Sequence, residues 1–204
     1  MVLLYNSNRH KTMLLSRVVR SLALTLLVPA VAYAQATLRA GPSTHAVAEV
    51  TLNYPQGQGP AGAKPMMIRL DYGQPHLRGR TLHTDSLVPY DKPWRLGANA
   101  ATRLVTDVDL VLGGTTLAKG TYVLFAVPGR AGWKLIVQKN GPEPEVTYDA
   151  ANDIATIALK RRELSEPVES LSMWLIPAPG TGAPHGELRI SWGTFAVSTD
   201  WTVK

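Results

Sequence analysis

"MMIRLDYG", residues 66–73, decides the fold class, because its apolar side chains recur at every second position. In an extended strand, successive side chains point to opposite faces of the sheet. Ile68, Leu70 and Tyr72 therefore share one face. The charged Arg69 lies on the opposite face. This pattern predicts a half-buried antiparallel strand with one side on a core and the other in solvent.

The same alternation recurs along most of the chain, in short segments bounded by glycine, proline, asparagine or aspartate. Such segments are typical of strands joined by turns. The segment 121–128 is apolar on both faces, which predicts a central strand. The stretches "LGGTTLAKGTY" and "VPGRAGW" predict two hairpins. We predict strands at about residues 45–53, 66–73, 101–112, 121–128, 133–140, 153–161, 170–176, 187–193 and 194–200.

These strands predict an all-β fold, an antiparallel β-sandwich, because no helical period persists beyond the amino terminus. A jelly-roll-like topology is an alternative connection of the same strands. We expect residues 66–204 to form the main β-sandwich domain. Residues 35–65 would supply an N-terminal strand and a loop rich in glycine and proline.

The amino terminus has the features of a cleavable secretory signal. Residues 1–34 contain four basic residues and no acid, followed by the apolar run "SLALTLLVPAVA" and an Ala-Tyr-Ala end. A basic region, a short apolar region and an A-x-A site define such signals. We therefore expect a mature chain from Gln35 that is periplasmic or secreted. The apolar run is too short for a typical membrane span, so no span is expected after signal removal.

Composition disfavours several classes of protein. With the signal removed, 17 basic residues face 15 acidic ones, and no basic run with interleaved aromatics stands out, so we expect no nucleic-acid partner. The chain has no cysteine, no G-x-S-x-G elbow and no phosphate-binding glycine loop. We therefore predict no cofactor and no catalytic residues, and we favour a binding protein over an enzyme.

Five stretches together resemble a bacterial envelope family known as domain of unknown function 2911. They are "YGQPHLRGR" (72–80), "LVPYDKPWRLGANAAT" (87–102), "LAKGTYVLFAVPG" (117–129), "WKLIVQKN" (133–140) and "YDAANDIA" (148–155). The resemblance covers about residues 66–195 and implies a secreted β-rich domain without established chemistry. This chain departs from the family pattern at Ala100, where an acidic residue is common, and at "TLHTDS" (81–86), where the pattern is apolar and glycine-rich.

The run "WRLGANAAT", residues 94–102, has two interpretations. As scaffold, its indole would cap the core, Gly97 would supply an unusual backbone angle, and its guanidinium and amide would bind loop backbone. As a site, the same side chains would form an aromatic platform with an anion-binding fork. The candidate ligand-binding residues, on this run and near it, are Tyr72, Arg80, Trp94, Arg95, Asn99 and Tyr148.

Two metal sites deserve consideration. His83 and Asp85, with His76 or His185, have the residue types of a two-histidine, one-carboxylate metal site. The run "YDAAND" (148–153) offers oxygen ligands, but it lacks the spacing of a dedicated calcium loop and is typical of a capped turn. His83 and Asp85 fall where the family pattern lacks them, and His185 lies in a loop rich in glycine and proline, so we predict no metal.

Three hypotheses follow. The first is an envelope module that binds a small ligand, a glycan or an envelope protein through the loop around Trp94. The second is a metal-dependent enzyme using His83 and Asp85 with a second histidine. The third is a purely structural or assembly domain.

Overall fold

The computed structural model describes residues 38–139 and 147–204, and these are almost entirely antiparallel β-structure. The predicted signal peptide and the proposed start at Gln35 lie outside the described residues. The elements are β1 (Ser43–Leu52), β2 (Met66–Pro75), β3 (Thr102–Thr106), β4 (Leu110–Leu112), β5 (Thr115–Leu117), β6 (Gly120–Val127), β7 (Trp133–Lys139), a 3-10 turn (Ala150–Asn152), β8 (Asp153–Pro177) and β9 (His185–Val203). The predicted all-β antiparallel fold class is confirmed.

The nine strands follow one another in a single hydrogen-bonded order, β1-β2-β3-β6-β7-β8-β9-β4-β5. The long strand β8 connects the two halves of this sheet. Its first residues pair with β7, and from Lys160 onward it pairs with β9. The β8–β9 register shifts on either side of Val168, where the ladder is irregular. Such bulges bend a strand and increase its local twist.

The predicted strand boundaries need three corrections. The predicted strand 101–112 is two strands, since the side chain of Thr106 bonds both backbone groups of Val108 and the chain turns there. The segments 153–161 and 170–176 are one strand, β8, and 187–193 and 194–200 are one strand, β9. The small strand β5 was not predicted. It pairs with β4 across the paired glycines, which confirms that hairpin.

One core lies inside the folded sheet. Its largest fully buried side chains include Trp133, Trp192 and Trp201, from β7 and β9. Tyr72 joins the two halves, since its hydroxyl accepts a hydrogen bond from the backbone N–H of Met173 at 3.1 Å. These contacts place the inner face of β2 against the second half of β8.

A smaller apolar cluster covers the opposite face of the sheet. It consists of Ala101, Val123, Phe125 and Ile136, with Tyr148 packed against it. Strand β6 is therefore buried on both faces, as its apolar sequence predicted. Within the described ranges, the structure contains no helix with the length and apolarity to cross a membrane.

Candidate functional site

The β2–β3 loop, residues 76–101, is the most strained part of the described chain. All six non-glycine residues with positive φ in the described ranges lie in it. A β-branched residue such as Val88, with φ 52°, rarely adopts this conformation. Strained backbone persists where surrounding contacts hold it, and it concentrates at functional sites. The six residues are Arg78, His83, Val88, Asp91, Leu96 and Asn99.

The end of this loop is held against β2 by a close backbone approach. The N–H of Ala98 donates to the carbonyl of Gly73 at 3.1 Å. A Cβ on Gly97 would lie 2.9 Å from the carbonyl oxygen of Gly73. The sequence predicted that Gly97 supplies an unusual backbone angle, and this is wrong, because the positive φ angles nearby belong to Leu96 and Asn99. A glycine is needed at 97 because a side chain there would be too close to the backbone of β2.

Trp94 belongs to the core side of the loop. Its backbone N–H and C=O both bond Ala126 of β6 at 2.8 Å. Its half-buried indole stacks on Trp192 at a centroid distance of 6.0 Å and meets the edge of Trp133 at 6.5 Å. This arrangement is the one that the scaffold interpretation predicts.

The two arginines of the predicted site bind loop carbonyls. Arg95 donates from Nη1 to the carbonyl of Asn99 at 2.9 Å. Arg80 donates from Nε to Leu77 at 3.0 Å and from Nη2 to His76 at 2.6 Å. A guanidinium has five N–H donors, so these two bonds leave Arg80 with three. Arg80 is exposed and therefore retains donors for a further group.

A cleft of about 290 Å³ lies between the β2–β3 loop and the region where β8 and β9 are irregular. We call it the His83 cleft. The loop contributes Arg80, His83 and Tyr90 to its lining. The sheet contributes residues of β8, including Arg161, and residues of β9, including Phe195.

His83 lies in the centre of an aromatic group. Its ring stacks on Tyr90 at 4.3 Å and lies 5.7 Å from Phe195. Its Nδ1 lies 3.0 Å from the carbonyl oxygen of Val88. Because a carbonyl can only accept, Nδ1 carries the hydrogen, and in the neutral ring the lone pair is on Nε2. The ring therefore offers an acceptor when neutral and a second donor when protonated.

Basic groups outnumber acidic ones around this cleft. Arg161 forms an ion pair with Glu163. Arg80 is also on the lining, and the guanidinium of Arg130 lies 4.5 Å from the ring centroid of Tyr90. The residues that line the cleft include two guanidinium groups, of Arg80 and Arg161, and one carboxylate, of Glu163, and this balance favours an anionic ligand.

The remaining predicted residues lie elsewhere. Tyr72 reaches the core, and burial raises the pKa of its hydroxyl. Tyr148 packs on Phe125 on the opposite face of the sheet and donates to Asp153 at 2.9 Å. This hydrogen bond raises the pKa of Tyr148. The structure therefore does not bring all six predicted residues together.

A second cavity, of about 470 Å³, lies beside β2, and Tyr72 is one of its lining residues. It contains His45 and Asp71, which are hydrogen-bonded to each other, and Ala100. Burial acts to raise the pKa of Asp71, but the hydrogen bonds from Arg69 and His45 outweigh it and the pKa lies below its ordinary value.

The proposed histidine metal site is not assembled. His76 bonds the hydroxyl of Ser170 at 2.7 Å, and His185 lies 3.0 Å from the carbonyl of Ala183. In residues 38–139 and 147–204, no group of three histidine, aspartate, glutamate or cysteine side chains has metal-binding proximity. Asp85 is exposed in the loop.

The run "YDAAND" is a capped turn. Asp149 caps the 3-10 turn by accepting from the N–H of Ala151 at 3.0 Å. Asp153 accepts from both Gln138, at 2.6 Å, and Tyr148. These hydrogen bonds are the ones that a capped turn predicts.

Sequence reasoning did not identify Tyr90, Arg161 or Phe195 as neighbours of His83. The basic run "KRRE" was visible, but nothing in it indicates which loop it contacts. The histidine in "TLHTDS" was the available signal, and it lies on the loop that lines this cleft.

A family model described as "Protein of unknown function (DUF2911)" matches residues 58–200. Neither a curated protein nor a solved structure matches the chain.

Proposed function

The chain belongs to the DUF2911 family, whose function is unknown, and on the basis of its own geometry we propose that it is a binding module for a small anionic ligand. The ligand occupies the His83 cleft. The observation that carries this proposal is that all six strained non-glycine residues of the described chain lie in the loop that forms one wall of this cleft. A strained loop on a rigid sheet is a common way to position ligand-binding groups.

The shape and chemistry of the cleft support a small ligand with a flat part. Its volume of about 290 Å³ is near the lower end of the usual range for small-molecule sites, roughly 300–1,000 Å³. Tyr90, His83 and Phe195 supply aromatic surface for stacking. The spare donors of Arg80 and the charge of Arg161 suit a carboxylate or phosphate group.

We also propose that the protein acts in the periplasm or as a secreted protein. The basic and apolar pattern of residues 1–34 supports this. In that compartment the ligand would be a small metabolite, a fragment of a glycan or a group presented by an envelope protein. The His83 cleft lies beside the candidate run at residues 94–102 and does not include it.

The test compares benzoate with benzamide, which have the same shape but differ in charge. Both are titrated into the purified protein by isothermal titration calorimetry, and phenyl phosphate and inorganic phosphate are tested in parallel. We expect benzoate to bind more tightly than benzamide. Arg80→Gln is expected to weaken benzoate binding about tenfold or more, because a charged hydrogen bond contributes roughly 1.5–3 kcal/mol.

Arg95→Gln is the matched control, since Arg95 lies on the same loop and also binds a carbonyl, but is not part of the cleft lining. It should bind benzoate as the unchanged protein does. If binding is lost in Arg95→Gln and kept in Arg80→Gln, the ligand binds the loop around Trp94 and not the His83 cleft. Binding of none of the four probes would refute an anion site.

A further inference from the structure

The outer face of β8 and β9 carries a second surface, which shares Arg161 with the His83 cleft. Trp174 of β8 is 41% exposed there, and in the β8–β9 register it lies directly opposite Arg189. The ladder therefore fixes an aromatic ring and a guanidinium side by side on adjacent strands.

Two depressions on this face form one elongated groove. One, of about 270 Å³, is lined by Trp174 and Ile176 among others, and the second, of about 100 Å³, extends toward Ser198. They share Arg162 and Arg189 and are therefore continuous. A groove that follows the strands suits a linear chain better than a compact molecule.

The groove arises from the irregular β8–β9 ladder. The register shifts on both sides of Val168 bend the sheet at this point. Small side chains lie deep in the bend, since Ser191 and Ala196 are almost fully buried although they are on the outer face. Long side chains such as Trp174 and Arg162 stand at its sides.

The charge of the groove is positive. Its lining contains four basic residues and one acidic residue, Glu187. Arg189 donates to Glu187 at 2.6 Å, which holds that guanidinium in place. The basic residues are Lys160, Arg161, Arg162 and Arg189. Three of these bases form ion pairs within the protein, Lys160 with Asp200, Arg161 with Glu163 and Arg189 with Glu187. The net positive charge of the groove therefore rests on Arg162, and it favours an occupant that carries a carboxylate.

We propose that this groove binds a glycan chain that contains uronate residues. The negative face of the Trp174 indole attracts the positively polarised C–H groups of a sugar ring. The fork of Arg162 matches the geometry of a sugar carboxylate.

A glycan fits this lining better than single-stranded nucleic acid. Proteins that bind single strands stack successive bases on several aromatic side chains. The two depressions contain one aromatic residue, Trp174. One stacking position near the guanidinium of Arg162 corresponds to one sugar ring with a charged neighbour.

The probe is a hexamer of α-1,4-linked galacturonate, titrated into the purified protein by calorimetry, with maltohexaose as the neutral hexamer and hexathymidylate as the nucleic acid. We expect the galacturonate hexamer to bind at least about tenfold more tightly than either comparison ligand. Trp174→Ala and Arg162→Gln should each weaken its binding about tenfold. Both residues are exposed, so the variants should fold normally.

The controls are Tyr54→Ala, an exposed aromatic residue elsewhere, and Lys134→Gln, an exposed cation on β7, and each should change affinity less than about twofold. Arg80→Gln should also leave hexamer binding unchanged, so this test is independent of the His83 cleft. The proposal is overturned if the galacturonate hexamer does not bind, or if Trp174→Ala and Arg162→Gln leave its affinity unchanged. Equally tight binding of hexathymidylate, lost in the same variants, would overturn it in favour of nucleic acid.

Discussion

Gly73→Ala should strongly destabilise the protein, because Gly73 is where the end of the β2–β3 loop contacts β2. An added Cβ would lie 1.7 Å from the carbonyl oxygen of Ala98 and 2.6 Å from its carbonyl carbon. Ordinary contact begins at 3.4 Å, so the loop backbone would have to move by about 1.7 Å. Both partners are main-chain atoms, and no side-chain rotation can relieve the overlap.

The cost follows from what this movement breaks. The hydrogen bond from Ala98 to Gly73 would be lost, and the bond from Thr102 to the carbonyl of Leu96 would be disturbed, at about 1 kcal/mol each. Leu96 is completely buried, and partial exposure of its side chain would cost about 2 kcal/mol more. We therefore expect the free energy of unfolding to fall by about 4 kcal/mol.

The assay is urea denaturation followed by tryptophan fluorescence. Gly132→Ala is the matched control, because Gly132 is exposed and an added Cβ would meet nothing within 4 Å. It should leave the free energy of unfolding unchanged or raise it by up to about 1 kcal/mol.

Gly97→Ala is the variant to use if Gly73→Ala does not fold. Its added Cβ would lie 2.9 Å from the carbonyl oxygen of Gly73, and the change should lower the free energy of unfolding by about 1–3 kcal/mol. A Gly73→Ala protein within about 1 kcal/mol of the unchanged protein would refute the close approach of loop and strand.

Two further predictions concern β8 and β9. Tyr72→Phe removes the acceptor of the buried N–H of Met173 and should lower the free energy of unfolding by about 1–3 kcal/mol in urea, whereas an unchanged midpoint would contradict the hydrogen bond. A hydrogen bond from Arg189 lowers the pKa of Glu187 below its ordinary value of 4.5, despite an opposing effect of burial. The folded state therefore gains stability above that ordinary pKa and loses it as the pH falls through the lower folded-state pKa. Glu187→Gln should accordingly flatten the decline of stability at acidic pH, measured by urea titrations across that range, and an unaltered decline would show that this pair has no such effect.

The fold class could be predicted because its signal is local. Alternation with period two marks each strand by itself, and glycines mark the turn between β4 and β5. The continuity of β8 could not be predicted in this way. Its middle part, "RELSEPVE", is polar and contains a proline, which is typical of a loop. Partners far away in the sequence hold it, among them Gly193 of β9 opposite Val168 and the N–H of Leu77, which donates to the carbonyl of Glu169.

The candidate sites depend on long-range neighbours that a local pattern does not contain. His83 and Arg161 lie far apart in the chain, and they share a cleft because the β2–β3 loop packs over the bend in β8. The scaffold interpretation of Trp94 and Arg95 could be predicted, because stacking and carbonyl binding are common roles of these residue types. The outer groove was missed because alternation marks Trp174 only as the solvent-facing member of a strand.

The irregular ladder around Val168 has a consequence for how this fold can evolve. Regular pairing continues on both sides of it, from Lys160 to Glu163 and from Ser172 to Pro177. Residues inserted or deleted at 164–167 would therefore be absorbed by the bulge, and the two flanking registers would stay as they are. Glu163, which precedes this segment, and Pro167, which is its last residue, both line the His83 cleft. Related chains could thus widen or narrow the cleft while keeping the same core.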